Sequence, residues 1–330
     1  MPSDRFGPLT RCWDALNHSG LPCLDSWNVS LLLKYFGRGE QLAVCYKGRE
    51  IVAMTFVRPG VIAHTFQPSN APVGLWVSDP DYSPKNFLPG LAKATRSLLV
   101  GVMECDPDIT SRPQDSDTLQ TVEYISTARI SVRGTFEEYW SSRSSNLRQN
   151  LKQRQKRLTR EGLTGRMVVV SAPNDIGAAV DAYGYLESNG WKGATAVHPN
   201  NAQGAYYREL FEGLARRNAA RVYQYFIGDK LVASDLCLVE KSLIILKTTY
   251  DESAGAFSPG LLLKHALFAS VWHEVKRIEF YGRVHDRHLR WTDEVRSMYH
   301  INSYRWPWLK SLHVRARAGW RQPVPGPQPC

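Results

Sequence analysis

The stretch Ser242–Leu263, SLIILKTTYDESAGAFSPGLLL, constrains this chain more than any other. Its first part, Leu243–Tyr250, is an apolar run with Thr248 and Thr249 near its end, the make-up of a buried strand. Asp251–Phe257 carries small residues and glycine and reads as a loop. Ser258-Pro259-Gly260 then opens a run with helical character that reaches Trp272. Serine is a good N-cap, and proline suits the first helical position. A buried strand therefore feeds a small-residue loop that ends on a helix N-terminus. Unpaired amides and the helix dipole make such an end attractive to anions, a pyrophosphate among them.

The rest of the chain can be laid out around this unit. Residues 1–20 read as a poorly ordered lead and Leu21–Phe36 as a short helix. Gln41–Tyr46 and Glu50–Val57 form a predicted hairpin, followed by strands at Val61–Phe66 and Gly74–Val77. A helix over Asn86–Leu98 leads to strands at Leu99–Cys105 and Thr121–Val132, with a polar loop between them. Thr135 caps a helix predicted over Phe136–Glu161. The second half repeats the pattern. A strand at Arg166–Ser171 precedes a helix capped by Asn174 or Asp175 and a second helix at Ala202–Asn218. A hairpin, Arg221–Ile227 with Leu231–Val239, then precedes the opening stretch. Helix 260–274, strand Arg277–Tyr281, a helix near His288–Arg296 and strand Met298–Arg305 follow. A basic helix at Ser311–Trp320 and a disordered tail end the chain. The two hairpins, YKGREIVAMTF and IGDKLVASDLCL, share a polar glycine turn and a Val-Ala pair, which suggests an internal duplication.

Charge and cysteine usage narrow the function classes. The net charge is +10, and it is concentrated in two segments. Tyr139–Arg160 holds seven Lys or Arg and no acid, and no acid follows Glu294. Such segments either face solvent or meet a polyanion: a phosphate-bearing cofactor, RNA or an anionic membrane. Six cysteines are scattered without a CxxC pair, which points to reduced thiols in a cytoplasmic protein and to no metal site. His285 and His288 stand three apart, but no third ligand is near in sequence, and a loop is the better reading. There is no GxSxG elbow, Walker motif or GxGxxG.

The order of strand, two helices, three antiparallel strands, helix and strand resembles that of the GNAT N-acyltransferases. Particular residues carry the likeness further: Leu186-Glu187 with Gly190-Trp191-Lys192-Gly193, Leu231-Val232-Ala233-Ser234, Leu246-Lys247 with Tyr250-Asp251-Glu252, Ser258-Pro259-Gly260, and Ile278–Gly282. With the Arg-rich helix ending in Glu161-Gly162, these resemble the CelD-type (BioF-like) acetyltransferases, which are related to the FemAB aminoacyltransferases. The likeness covers about residues 135–305. It implies an α/β (α+β) fold of tandem GNAT-like units, each a mixed, mostly antiparallel sheet flanked by helices. The expected division is a degenerate N-terminal unit over 1–134, a basic linker helix over 135–165, the acyltransferase unit over 166–306, and a basic helix with tail over 307–330.

Acyl transfer from a thioester to an amine needs a held donor, donors of hydrogen bonds to the developing oxyanion, a proton acceptor and a proton donor. The resemblance implies acetyl-CoA or another acyl-CoA as co-substrate, with no permanently bound cofactor and no metal. Gly255, Ala256, Phe257, Ser258 and Gly260 are the candidate donor-binding residues, although the usual Arg/Gln-x-x-Gly-x-Gly/Ala loop is absent and Pro259 has no N–H. Glu187 is the candidate proton acceptor, directly or through water. Tyr250 and Tyr281 are candidate acids for the leaving thiolate. Trp191, Lys192, Asp235, Lys247 and Asp251 are candidate substrate contacts. Lys247 lies in an apolar strand and needs a partner, and Asp235 is offered as that partner.

The expected acceptor is an amine on a small molecule or on an envelope or polysaccharide precursor. Two alternatives stay open: an aminoacyltransferase using aminoacyl-tRNA, and a non-catalytic binding protein on the same scaffold. The Trp306–Trp320 segment reads either as a helix covering the core, the preferred reading, or as a contact to anionic lipid. Oligomeric state is not legible.

Overall fold

A computed structural model describes residues 3–190 and 197–319. The first half holds α1 (Thr10–Leu16), α2 (Ser26–Phe36), β1 (Gln41–Lys47), β2 (Glu50–Arg58), β3 (Ile62–Thr65), β4 (Trp76–Ser78), α3 (Pro84–Ala94), β5 (Leu99–Cys105) and β6 (Leu119–Ser131). Helices α4 (Phe136–Ser142) and α5 (Ser145–Arg160) lead to the second half. That half holds β7 (Gly165–Val170), α6 (Ile176–Ser188), α7 (Ala202–Ala215), β8 (Ala220–Ile227), β9 (Lys230–Val239), β10 (Ser242–Tyr250), α8 (Pro259–Val271), β11 (Arg277–Phe280), α9 (Asp286–Leu289), β12 (Val295–Tyr304) and α10 (Pro307–Gly319).

The strands form one sheet in the order β1-β2-β3-β5-β12-β6-β11-β10-β9-β8-β7, with β4 on β2. This order makes the duplication explicit. A helix pair, a hairpin, a third strand, a helix and a parallel strand occur in both halves: α1-α2-β1-β2-β3-α3-β5 and α6-α7-β8-β9-β10-α8-β11. Each hairpin turns on two residues whose first is a glycine at positive φ, Gly48 at 64° and Gly228 at 56°. Only glycine adopts that backbone at little cost, and it matches the twist of the strands. The halves then exchange strands. β12 from the second half pairs with β5, β6 from the first pairs with β11, and β6 and β12 run antiparallel along the centre.

The helix pairs of both halves cover one face. Their core includes Trp13, Leu32, Phe56, Tyr183, Tyr206, Phe211 and Leu236. On the opposite face, α8 and the α4–α5 segment bury Phe136, Leu151, Phe268 and Trp272 against the second half of the sheet. Helix α3 covers the corresponding face of the first half with Phe87, Leu88 and Leu91.

Several expectations are corrected. Residues 1–20 are not a loose lead. A 3-10 segment over Ser3–Leu9 and α1 place Phe6 and fully buried Trp13 in the core, and the Trp13 indole donates to the Leu24 carbonyl at 2.7 Å. This anchoring is long-range, so the polar local sequence concealed it. The helix predicted over Phe136–Glu161 is broken. Thr135 caps α4 in a reciprocal capping box with Glu138, and Ser144 starts α5 by accepting from the Leu147 amide at 3.3 Å. Asp175 occupies the position before α6 without a side-chain cap, whereas Asn201 caps α7 through the Gly204 amide. The helix expected near His288–Arg296 is only α9, and β12 already begins at Val295. The Cys330 tail lies outside the described residues. Among the described residues no helix is long and apolar enough to cross a membrane.

Candidate functional site

The site begins where the sheet opens. β10 pairs with β11 only over Ser242–Ile244, yet it stays paired with β9 as far as Tyr250. Beyond Ile244 the two parallel strands part and leave a wedge. A bulge sits at the start of that wedge: Ile245 opposes Cys237 and Lys247 opposes Leu236, so Leu246 is the inserted residue. An inserted residue is left out of the ladder and locally re-aims its strand. Lys247 then faces the α6–α7 side, and Thr248 faces α8.

On the α6–α7 side the deepest carboxylate is Glu187, 2% exposed at the end of α6. One turn earlier on the same helix, Tyr183 donates its hydroxyl to Glu187 Oε1 at 2.8 Å. The Val197 amide donates to Oε2 at 2.6 Å. Burial, reinforced by the Glu187 charge, pushes the Tyr183 phenol well above its ordinary range. Lys247 Nζ stands 5.7 Å from the ring centre of Tyr207. The Tyr207 hydroxyl accepts from Asn70 Nδ2 at 3.3 Å, which ties this side to the first half of the chain. Trp191 and Lys192 lie outside the described residues.

On the α8 side, fully buried Asp235 accepts from Thr248 at 2.6 Å and pairs with Lys264 of α8. This corrects the suggested Asp235–Lys247 pair. Strand alternation separates the two residues, with Asp235 beneath α8 and Lys247 over Tyr207 on the opposite face. The signal for the true partner was a lone lysine inside the apolar run LLLKHALF.

The mouth of the wedge gathers the expected donor-binding residues. Asp251 accepts from the Ser253 amide at 2.8 Å and pairs with Lys230 at 2.6 Å. The predicted loop is a 3-10 turn over Glu252–Phe257. Ser258 has φ of 50° and makes no side-chain cap; its carbonyl accepts from the Leu261 and Leu262 amides. With no N–H on Pro259, the Gly260 amide is the remaining donor of the first turn. Basic side chains reach the same place from α5. Arg154 Nη1 donates to the Ala256 carbonyl at 2.9 Å, and Arg157 lies 5.2 Å from the centre of the Phe257 ring. Arg154 Nε is buried without a hydrogen-bond partner among the described residues. Tyr250, half exposed, stands over the helix start: a Cβ on Gly260 would meet its Cδ1 at 3.8 Å. Spacing along α5 showed a basic face, but not that two of its arginines turn toward this loop.

Tyr281 is placed differently. Its hydroxyl donates to Asp106 at 3.0 Å, and burial, followed by the Asp106 charge, drives its pKa well above the ordinary phenol value. Asp106 also receives Arg296, which reaches Glu279 as well. Sequence reasoning missed this cluster because its members come from β5's end, β11 and β12.

The segment from α5 to the end of α9, residues 145–290, matches the family model described as an acetyltransferase (GNAT) domain. This chain carries a GNAT acyltransferase domain. Solved structures match the fold across both halves. A conserved protein of unknown function from Bacteroides thetaiotaomicron superposes with a TM-score of 0.57 at 11% identity, covering 90% of this chain and 97% of that one. FemX superposes with a TM-score of 0.55 at 10% identity, covering 86% and 92%. The C-terminal domain of a putative lysylphosphatidylglycerol synthetase from Agrobacterium fabrum gives 0.52 at 13%, covering 84% and 88%. These structures share the fold. No curated protein matches the chain in sequence. The GNAT domain is that of an enzyme that transfers acyl groups, and its matched segment contains the whole β10–α8 wedge.

Proposed function

We propose that the protein is an N-acyltransferase that moves an acyl group, acetyl in the simplest case, from an acyl-CoA to an amine. The observation that carries this reading is the convergence of Arg154 and Arg157 on the loop before α8, beside the wedge between β10 and β11. A thioester with a phosphate-bearing handle needs cationic side chains and a helix N-terminus at one end and an open strand at the other. The arginines stand in for the missing glycine-rich loop. The acyl carbonyl docks at the Leu246 bulge, where an amide outside the ladder can donate to the oxyanion.

The amine approaches from the α6–α7 side. Glu187 takes its proton, directly or through water, while Lys247 orients an anionic part of the acceptor. The C–N bond forms, the C–S bond breaks, and the thiolate leaves with a proton from Tyr250, which stands at the mouth. Tyr281 is assigned to the Asp106 cluster rather than to proton transfer. The acceptor belongs to the amines of small molecules or of envelope and polysaccharide precursors, and the reaction takes place in the cytoplasm, where CoA thioesters are made.

Titration of the full chain with acetyl-CoA, and with coenzyme A alone, tests the donor. Gly260→Glu should abolish binding by placing an anion at the helix start. It should leave the fold intact, because its Cβ enters ordinary van der Waals space. Unchanged affinity in the folded variant removes this loop from the site.

One observation favours a second donor, aminoacyl-tRNA. Arg148, Lys152, Lys156 and Arg160 form an exposed stripe on α5, away from the loop. RNA affinity that falls steeply with salt, together with no response to coenzyme A, would favour it.

A further inference from the structure

Helix α10 carries a surface that acyl transfer does not use. Its inward side is settled. Leu309 and His313 are half-buried, His313 Nδ1 meets the Tyr304 hydroxyl at 2.6 Å, and Lys310 donates to the carbonyls of Ser116 and Leu119. Its outward side is apolar and basic. Trp308 is 55% exposed and Leu312, one turn on, is 56% exposed. Arg315 continues the same stripe at helical spacing and is exposed. Trp306, 42% exposed, stacks on Trp308 with ring centres 5.9 Å apart and planes 10° from parallel. The Arg305 guanidinium lies 5.1 Å from the centre of the Trp306 ring. The inward side of this segment therefore rests on Tyr304 and on the Ser116–Leu119 turn.

Two stacked indoles and a leucine held in water, rimmed by arginine, form a patch that calls for a partner. The charge says which. No acid occurs after Glu294. Lys310 reaches the Ser116 carbonyl, between Asp115 and Asp117 in the chain, from the side of the helix away from Trp308. A basic, acid-free helix with tryptophan on its exposed face complements an anionic bilayer surface: indoles sit at headgroup level and guanidinium groups meet lipid phosphates. We propose that α10 is a peripheral anchor that lays this face onto anionic membrane, with Trp306, Trp308 and Leu312 entering the headgroup layer. Binding is reversible, since one short amphipathic helix by itself provides modest affinity. The inference is independent of the identity of the acyl donor.

Vesicle flotation of the full chain tests it. With vesicles of phosphatidylcholine containing about one-third phosphatidylglycerol, the protein should float. With phosphatidylcholine alone it should stay behind, and raised salt should weaken the interaction. The double variant Trp308→Ala/Leu312→Ala should reduce partitioning about tenfold or more while its far-ultraviolet circular dichroism stays that of the parent, because both side chains are exposed. Arg315→Glu should reduce partitioning to the anionic vesicles. The proposal is overturned if the parent stays soluble with both vesicle types, or if the double variant floats as well as the parent. It is also overturned if light scattering shows a dimer that the double variant dissociates while flotation is unchanged, which would make the patch a self-association surface.

Discussion

Arg296 of β12 grips Asp106, just past β5, with a forked pair of hydrogen bonds at 3.0 and 2.6 Å, although the two residues are 190 positions apart. The same guanidinium reaches Glu279 of β11 at 2.9 Å, so one side chain hydrogen-bonds two buried acids where the halves exchange strands. Removing it strands both. Arg296→Met should cost about 3–5 kcal/mol of stability, seen as a lower melting temperature. Arg296→Lys should recover only part of that, since a single ammonium cannot reproduce the fork.

Trp13 tests the correction at the N-terminus. It is fully buried and packs with Phe6 and Phe56 at ring-centre distances of 5.5 and 5.7 Å. Trp13→Ala should destabilise the chain by about 3–5 kcal/mol. A loose lead would tolerate the change without loss in a denaturant titration.

Glu187 separates chemistry from packing. Glu187→Gln keeps one acceptor oxygen, for the Tyr183 hydroxyl, but presents its NH2 to the Val197 amide and cannot take a proton. Turnover should fall by about two to four orders of magnitude, far more than the loss of about 1 kcal/mol of stability from the unpaired Val197 N–H explains. Glu187→Ala should also lose about 1–3 kcal/mol, because Tyr183 and the Val197 amide lose their acceptor. Full activity in the Gln variant would remove Glu187 from proton transfer.

Arg154 and Arg157 bear on donor binding rather than on the chemical step. Replacing both by Ala should raise the donor KM by about tenfold or more, the loss expected for charge-assisted contacts to phosphate. kcat should hold, because the loss is of uniform binding. A fall in kcat at unchanged KM would contradict the placement of the phosphates at this loop.

His288 gives a pH signature. Burial, followed by the charges of Arg287, His285 and Lys264, lowers its pKa from 6.5 to about 4. The unfolded chain takes up this proton near 6.5 and the folded chain only near 4. Between those values the unfolded state binds more protons, so this contribution to stability is intact above 6.5 and is lost as pH falls toward 4. His288→Gln should flatten that part of the stability–pH curve relative to the parent. Parallel curves for the two proteins would show that the imidazole titrates normally.

The sequence by itself determined the order of the strands, both glycine-turned hairpins and the strand–loop–helix at Ser242–Leu263. These follow from local periodicity and from backbone preferences of glycine and proline, which act over a few residues. It also placed Gly255–Gly260 and Tyr250 together, because they are near neighbours in the chain. Only the tertiary structure decided the partners. Asp235 chose Lys264, 29 residues on, over the nearer Lys247, because strand alternation put Lys247 on the other face. Tyr281 went to Asp106, two arginines of α5 turned toward the Ala256 carbonyl, and β6 and β12 changed places. Each of these depends on which distant segments share a face or an edge of the sheet. Burial and pairing across such distances are set by packing, and no local pattern encodes them.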